Sequence, residues 1–185
     1  MLFRSADAAV NYGAIGAIIG HEMGHGFDDQ GSQFGATGKF ENWWTPGSKK
    51  AFADRTSALG AQYDMYEAIP GTKINGKLTM GENIGDLGGI EAAYSAYQRY
   101  QLKHGKAKVI GGLTGDQRFF LAYAQAWQAK VREDAQRQAL LGDPHSPAKF
   151  RVNGIVRNVD AWYVAFNIKP GDALYLPPEK RVHIW

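Results

Sequence analysis

The chain of 185 residues contains no cysteine. That absence excludes disulfides, cysteine-ligated zinc, iron–sulfur centres and thiol nucleophiles. It leaves the compartment open. Long apolar runs are missing too. The longest, Ala14 to Ile19, is far too short to span a bilayer. It also lacks the charged flank and small-residue cleavage pattern of a signal peptide, so the protein either stays inside or takes its targeting from a segment outside this sequence. No unbroken run of lysine and arginine marks a phosphate-binding stripe, so a formal charge of +3 and a pI near 9.0 do not imply a nucleic-acid partner.

What remains is ordinary for a globular protein: 44% apolar and 21% charged residues, enough for one sizeable core. We read residues 1–185 as a single domain, mostly α, without repeats or low-complexity linkers. Ala6 to Phe27 is expected to be a helix, with Asp7 or Asn11 as its cap and Ala8, Val10, Ile15, Ile18, Ile19 and Met23 at helical spacing. Gly13, Gly16, Gly20 and Gly24 recur within it at three or four residues. Each costs roughly 1 kcal/mol of helix propensity, and the row invites another backbone to approach closely.

Asp28 to Gly47 reads as a loop with room for a short hairpin. Ser48 to Ala68 reads as a helix with Phe52, Leu59, Tyr63 and Tyr66 on its apolar face, followed by turns at Pro70-Gly71 and Asn75-Gly76. A second glycine-studded helix is expected from Thr79 to His104, with Ile84, Leu87, Ile90, Tyr94 and Tyr97 buried. Thr114 and Gln117 match a capping box that opens a third long helix through Trp127 and Val131 to about Leu140. A short helix is expected near residues 158–166, before a Pro- and Gly-rich tail.

His21-Glu22-Met23-Gly24-His25 is an H-E-x-x-H sequence on the first of these helices. Residues four apart share a helical face, so both imidazoles reach one metal ion. Glu22, rotated by about 100°, faces a water on that metal without ligating it. Zinc draws the pKa of such a water towards about 7, and the carboxylate takes its proton. On this motif alone, two structural histidines remain the alternative, but a polar cluster inside an apolar, glycine-lined helix is costly unless its members are paired or metal-bound.

A third protein ligand is needed. Asp28 and Gly31 stand where an extended metzincin motif requires glycine and histidine, so that class is excluded. Glu82, in Gly81-Glu82-Asn83-Ile84-Gly85-Asp86, is the better candidate. Asp86 lies four residues on, placed to accept the outer N–H of a ligand histidine. Taken alone, the same pair reads as two acids favoured by a helix N-terminus.

These motifs in their surroundings resemble the neprilysin and endothelin-converting-enzyme family of zinc peptidases. The resemblance runs from Asn11-Tyr12-Gly13-Ala14-Ile15-Gly16 through both motifs, Trp43-Trp44, Phe119-Phe120, Ala124-Gln125-Ala126-Trp127, His145-Ser146-Pro147 and Phe150-Arg151-Val152-Asn153-Gly154 to the tail ending at Trp185. It implies a zincin-like (gluzincin) catalytic domain, mainly α with few short strands. It also implies an endopeptidase acting on short peptides with one zinc ion per chain. His21, His25 and Glu82 would bind the metal and Glu22 would activate water. Asp86 and Asp28 would support the ligand histidines, His145 would stabilise the oxyanion, and Arg151 would grip a carbonyl or the terminal carboxylate of the peptide.

Two departures carry further implications. Animal members have cysteines, one near the position of His183, so the resemblance is to a bacterial-type member. Family members are several times longer, with an upstream lobe and a cleft strand absent from this sequence. The chain is thus expected to be the C-terminal catalytic portion of an exported parent. Its expected partners are a peptide substrate and either that lobe or a second copy covering exposed apolar surface. The alternative function is a metal-binding fragment or interaction module that is inactive without the lobe.

Overall fold

The computed structural model describes residues 6–185, so the first five residues of the single-domain expectation lie outside it. The described residues are mainly helical, with one two-stranded sheet. Helix α1 (Ala8–Asn11) begins at Asp7, whose carboxylate accepts from Ala9 N–H at 3.2 Å. It continues without a break through a π-turn (Tyr12–Gly16) into α2 (Ala17–Gly24). Together these make up the expected first helix, which starts at Ala8 rather than Ala6 and ends at Gly24 rather than Phe27.

The glycine row meets another backbone as expected, and its small-residue side is the buried face. Ala9, Gly13, Ala14, Ala17 and His21 are buried, whereas Ile15, Ile19 and Met23 are 40%, 53% and 70% exposed. The reason is the close approach of α4 (Met80–His104). A Cβ on Gly20 would lie 2.9 Å from Gly89 Cα, and one on Gly89 would lie 2.6 Å from His21 N. Only the small-residue side of α2 fits that seam, so the bulky side chains turn outward. On the far side, a Cβ at Gly13 would meet Phe119 O of α5 (Gly115–Ala126) at 2.1 Å.

The loop after α2 contains a short 3₁₀ turn (Gly31–Gln33) and an antiparallel bridge between Phe34 and Phe40, in place of a full hairpin. Helix α3 (Pro46–Tyr63) starts two residues before the expected position: Thr45 accepts from Ser48 N–H at 3.1 Å and Pro46 takes the first turn, where its missing N–H costs nothing. The helix ends at Tyr63 rather than Ala68. The segment beyond it becomes strand β1 (Glu67–Ile69), paired antiparallel with β2 (Thr72–Lys73) across the Pro70-Gly71 turn, where Gly71 takes φ 75°.

Helix α4 runs as expected and buries Ile84, Leu87, Ile90 and Tyr97, while Tyr94 is half-buried against the core. The capping box of Thr114 and Gln117 is present at the start of α5. The third long helix is a correction: α5 stops at Ala126, and the chain resumes as α6 (Glu133–Ala139). Trp127 ends α5 by turning its indole onto Arg151, and beyond it Val131 is 54% exposed, so a continued helix would have had no apolar face to bury.

Sequence reading missed α7 (Ala148–Val156), although Phe150 and Ile155 are buried along it and Pro147 immediately precedes it. The expected short helix is α8 (Asp160–Phe166). The tail returns to the core, where Val182 and Ile184 are buried and Asn158 accepts from Val182 N–H at 2.9 Å.

Candidate metal centre and its surroundings

The seam between α2 and α4 sets the site. Because the two backbones nearly touch at Gly20 and Gly89, His21 one turn further along α2 lies beneath the first turns of α4. His21 Nε2 is 3.2 Å from Glu82 Oε2, and His25 Nε2 is 3.6 Å from Glu82 Oε1. One ligand atom from each of these three residues lies within 4.8 Å of the others, so the group could hold a metal ion. Two imidazoles and one carboxylate match the donor set of zinc sites that keep a position open. Glu22 is exposed on the solvent side of the same helix.

Each histidine of this group has a carboxylate behind it. Asp28 is buried. Its Oδ1 accepts from the N–H groups of Gln30 and Gly31 at 2.8 and 2.7 Å, and its Oδ2 lies 2.9 Å from His25 Nδ1. That contact turns His25 Nε2 towards Glu82. Asp86 Oδ1 lies 2.9 Å from His21 Nδ1, but the pair is not aligned for a hydrogen bond. Asp86 gives its aligned acceptors to Arg151, whose Nε and Nη2 each donate at 2.8 Å. Arg151, expected to face substrate, is buried. Its Nη2 also lies 3.3 Å from Glu82 Oε2, and its guanidinium stacks 3.8 Å from the centroid of Trp127.

His145 arrives on the loop between α6 and α7, half exposed, with Nε2 3.2 Å from Glu82 Oε2. Four contacts that the sequence reading left unassigned place it there. Asp143 Oδ1 accepts from His145 N–H at 2.9 Å and lies 2.8 Å from its Nδ1. Ser146 donates to Asn83 Oδ1 at 2.8 Å, and Asn83 donates to Thr79 at 2.9 Å, all buried, which pins the loop to α4. The only sequence signal for these was proximity to residues already singled out: Asn83 adjoins Glu82, and Asp143 and Ser146 flank His145.

The charges are mutually dependent. Burial opposes charge on His21, yet Asp86 and Glu82 overcome it and hold its pKa up to about 9. Burial likewise works against the Glu82 carboxylate, but His21, His145 and Arg151 keep its pKa below the usual carboxylate range. Asp143 is lowered by the backbone N–H and then the ring of His145. Arg151 is raised by Asp86 and Glu82 against the cost of burial. Protonated His21 thus joins the Arg151 guanidinium in facing Glu82. Beside the cluster opens a cavity of about 510 Å³ lined by His25, Asp28, Asp29, Lys77, Glu82 and Pro144, among others.

Residues 2–182 match the peptidase family M13. The chain is 44% identical over 182 residues to neprilysin-11 of Caenorhabditis elegans, covering 96% of this chain and 21% of that protein. It is 40% identical over 184 residues to human endothelin-converting enzyme 1, covering 98% and 24%. The crystal structure of the zinc metalloprotease Zmp1 of Mycobacterium tuberculosis, solved with an inhibitor, superposes with a TM-score of 0.96 at 49% identity, covering all of this chain and 29% of that one. The chain thus spans about a quarter of the length of these relatives.

Proposed function

Since this chain belongs to peptidase family M13, we propose that it is the metal-binding and catalytic part of a zinc-dependent endopeptidase acting on short peptides, folded as one catalytic unit. The observation that carries the reading is the convergence of His21, His25 and Glu82 on a single point from two helices. When bound there, zinc supplies Lewis acidity towards the scissile carbonyl and lowers the pKa of an adjacent water.

The remaining work falls to the protein's own groups. Glu22, exposed beside the ligand pair, takes the proton of the attacking water and returns it to the leaving amine. His145 has Nδ1 turned to Asp143, so Nε2 is the nitrogen that faces the oxyanion of the tetrahedral intermediate. Asp28 and Asp86 orient His25 and His21. Arg151 spends Nε and Nη2 on Asp86, leaving Nη1 as its donor to a peptide carbonyl.

The test is cleavage of a quenched fluorescent peptide by zinc-loaded protein beside its Glu22→Ala variant. Turnover by the wild type and none by the variant is the expected result. One zinc per chain without turnover in either points to the second reading, a metal-binding portion that needs further polypeptide to act. That reading is favoured by the exposed Ile15, Ile19, Met23 and Phe27, spaced one turn apart beside the site. A chain that holds no zinc sinks both.

A further inference from the structure

Far along α4 from the metal centre, the surface changes character. From residue 92 to residue 115 there is no acidic side chain, while Arg99, Lys103, Lys106 and Lys108 give the stretch a formal charge of +4, more than the +3 of the whole chain. Among the described residues none of these four cations has an acidic partner. The charges are spaced rather than consecutive, so a search for an unbroken basic run passes over them. They do not stand alone. Leu102 is 88% exposed, Val109 64% and Ile110 55%.

The loop that carries Val109 and Ile110 is built to project. It leaves α4 at Gly105 with φ 88° and is tied back by Ala107 N–H donating to Gln101 Oε1 at 3.0 Å. It then reverses through Gly111 and Gly112, both left-handed, so that Ile110 and Leu113 bridge across a tight tip. Arg118 fixes its base by donating to the carbonyls of Lys108 and Leu113 at 3.0 and 2.7 Å. Two adjacent branched apolar side chains are thereby held in water on a braced loop, directly after Lys108.

We propose that the end of α4 and the loop 105–113 form a peripheral docking surface for an anionic lipid bilayer. Lys103, Lys106 and Lys108 face the headgroups, while Val109 and Ile110 enter the outer edge of the hydrocarbon. Charge complementarity commits the surface to a polyanion, and the apolar tip selects a membrane over a nucleic acid or an acidic protein surface, neither of which offers hydrocarbon to Val109 and Ile110. No described helix is long and apolar enough to cross a membrane, so the contact is interfacial.

The experiment is sedimentation of the full chain with vesicles of phosphatidylcholine alone and of phosphatidylcholine with 30% phosphatidylglycerol. Binding is expected to the anionic vesicles only and to weaken as salt rises. The triple variant Lys103→Glu, Lys106→Glu and Lys108→Glu should lower partitioning by at least about a hundredfold. Val109→Ser with Ile110→Ser should weaken binding about tenfold or more while keeping its salt dependence. All substituted side chains are exposed, and unchanged melting curves confirm that each variant folds. Equal binding to both vesicle types, no binding, or an equal loss from the distant control Lys49→Glu with Lys50→Glu overturns the proposal. So does indifference to the Val109 and Ile110 substitutions, which would reassign the patch to polyanions in general.

Discussion

Replacing Arg151 by methionine tests whether the charges beneath the metal centre are held as one unit. The Asp86 side chain is 1% exposed and that of Arg151 8%, and two bonds of 2.8 Å join them. Removing the guanidinium takes from a buried carboxylate its aligned hydrogen-bonding partner and leaves His21 beside it at 2.9 Å, a change that costs up to about 3–5 kcal/mol in comparable pairs. In a chain of this size each kcal/mol moves the melting point by about 2–4 °C, so the metal-free variant should melt about 6–20 °C lower. Lost stacking on Trp127 adds to the same total, and a double-mutant cycle separates the two contributions. With Asp86→Asn already present, Arg151→Met removes only the longer contact with Glu82 and should cost at least about 2 kcal/mol less than in the wild type. Urea unfolding followed by tryptophan fluorescence reads all four proteins. Additive losses, or an Arg151→Met variant within about 1 kcal/mol of wild type, would refute the coupling and return Arg151 to a role towards substrate alone.

Other expectations follow from the same geometry. Gly89→Ala, whose new Cβ would meet the His21 backbone at 2.6 Å, should lower both stability and zinc affinity by calorimetry, whereas Gly47→Ala, with nothing within 4 Å, should be neutral or slightly stabilising. Asp143→Asn should lower kcat more than KM in the peptide assay, because it loosens His145 without touching the ligands; an unchanged kcat would remove Asp143 from the positioning role. In chelated protein His21 contributes stability that is fully present below its unfolded pKa of 6.5 and is lost as pH rises through about 9, up to about 3 kcal/mol. A chelated protein whose melting point rises between pH 6.5 and 9 would contradict that sign.

The sequence made some levels of this molecule legible and hid others. Helix α4 and the start of α5 could be read because periodicity and a reciprocal cap are local properties. The H-E-x-x-H pair and Glu82 could be read because metal chemistry restricts residue type and spacing. The buried face of α2 could not. Hydrophobicity favoured Ile15, Ile19 and Met23, whereas contact distance favoured glycine and alanine, and that contest is settled only when a second helix arrives. The break after Ala126 had the same origin, in the docking of Trp127 on a residue 24 positions away. Asp143 and the Ser146–Asn83 bond are ordinary polar residues whose roles exist only once the loop meets α4.

The division of the ligands between two helices has a consequence for how the chain folds. His21 and His25 ride on α2 and Glu82 on α4, so an ion gripped by all three closes a loop of about 60 residues. In a polypeptide with no cysteine, no disulfide can make such a link. It acts on the unfolded ensemble as a disulfide does, by removing chain entropy that would otherwise oppose folding. Metal bound by the three residues would therefore fasten the seam, and stripping it would loosen the glycine contact on which the positions of His21, His25 and Glu82 depend.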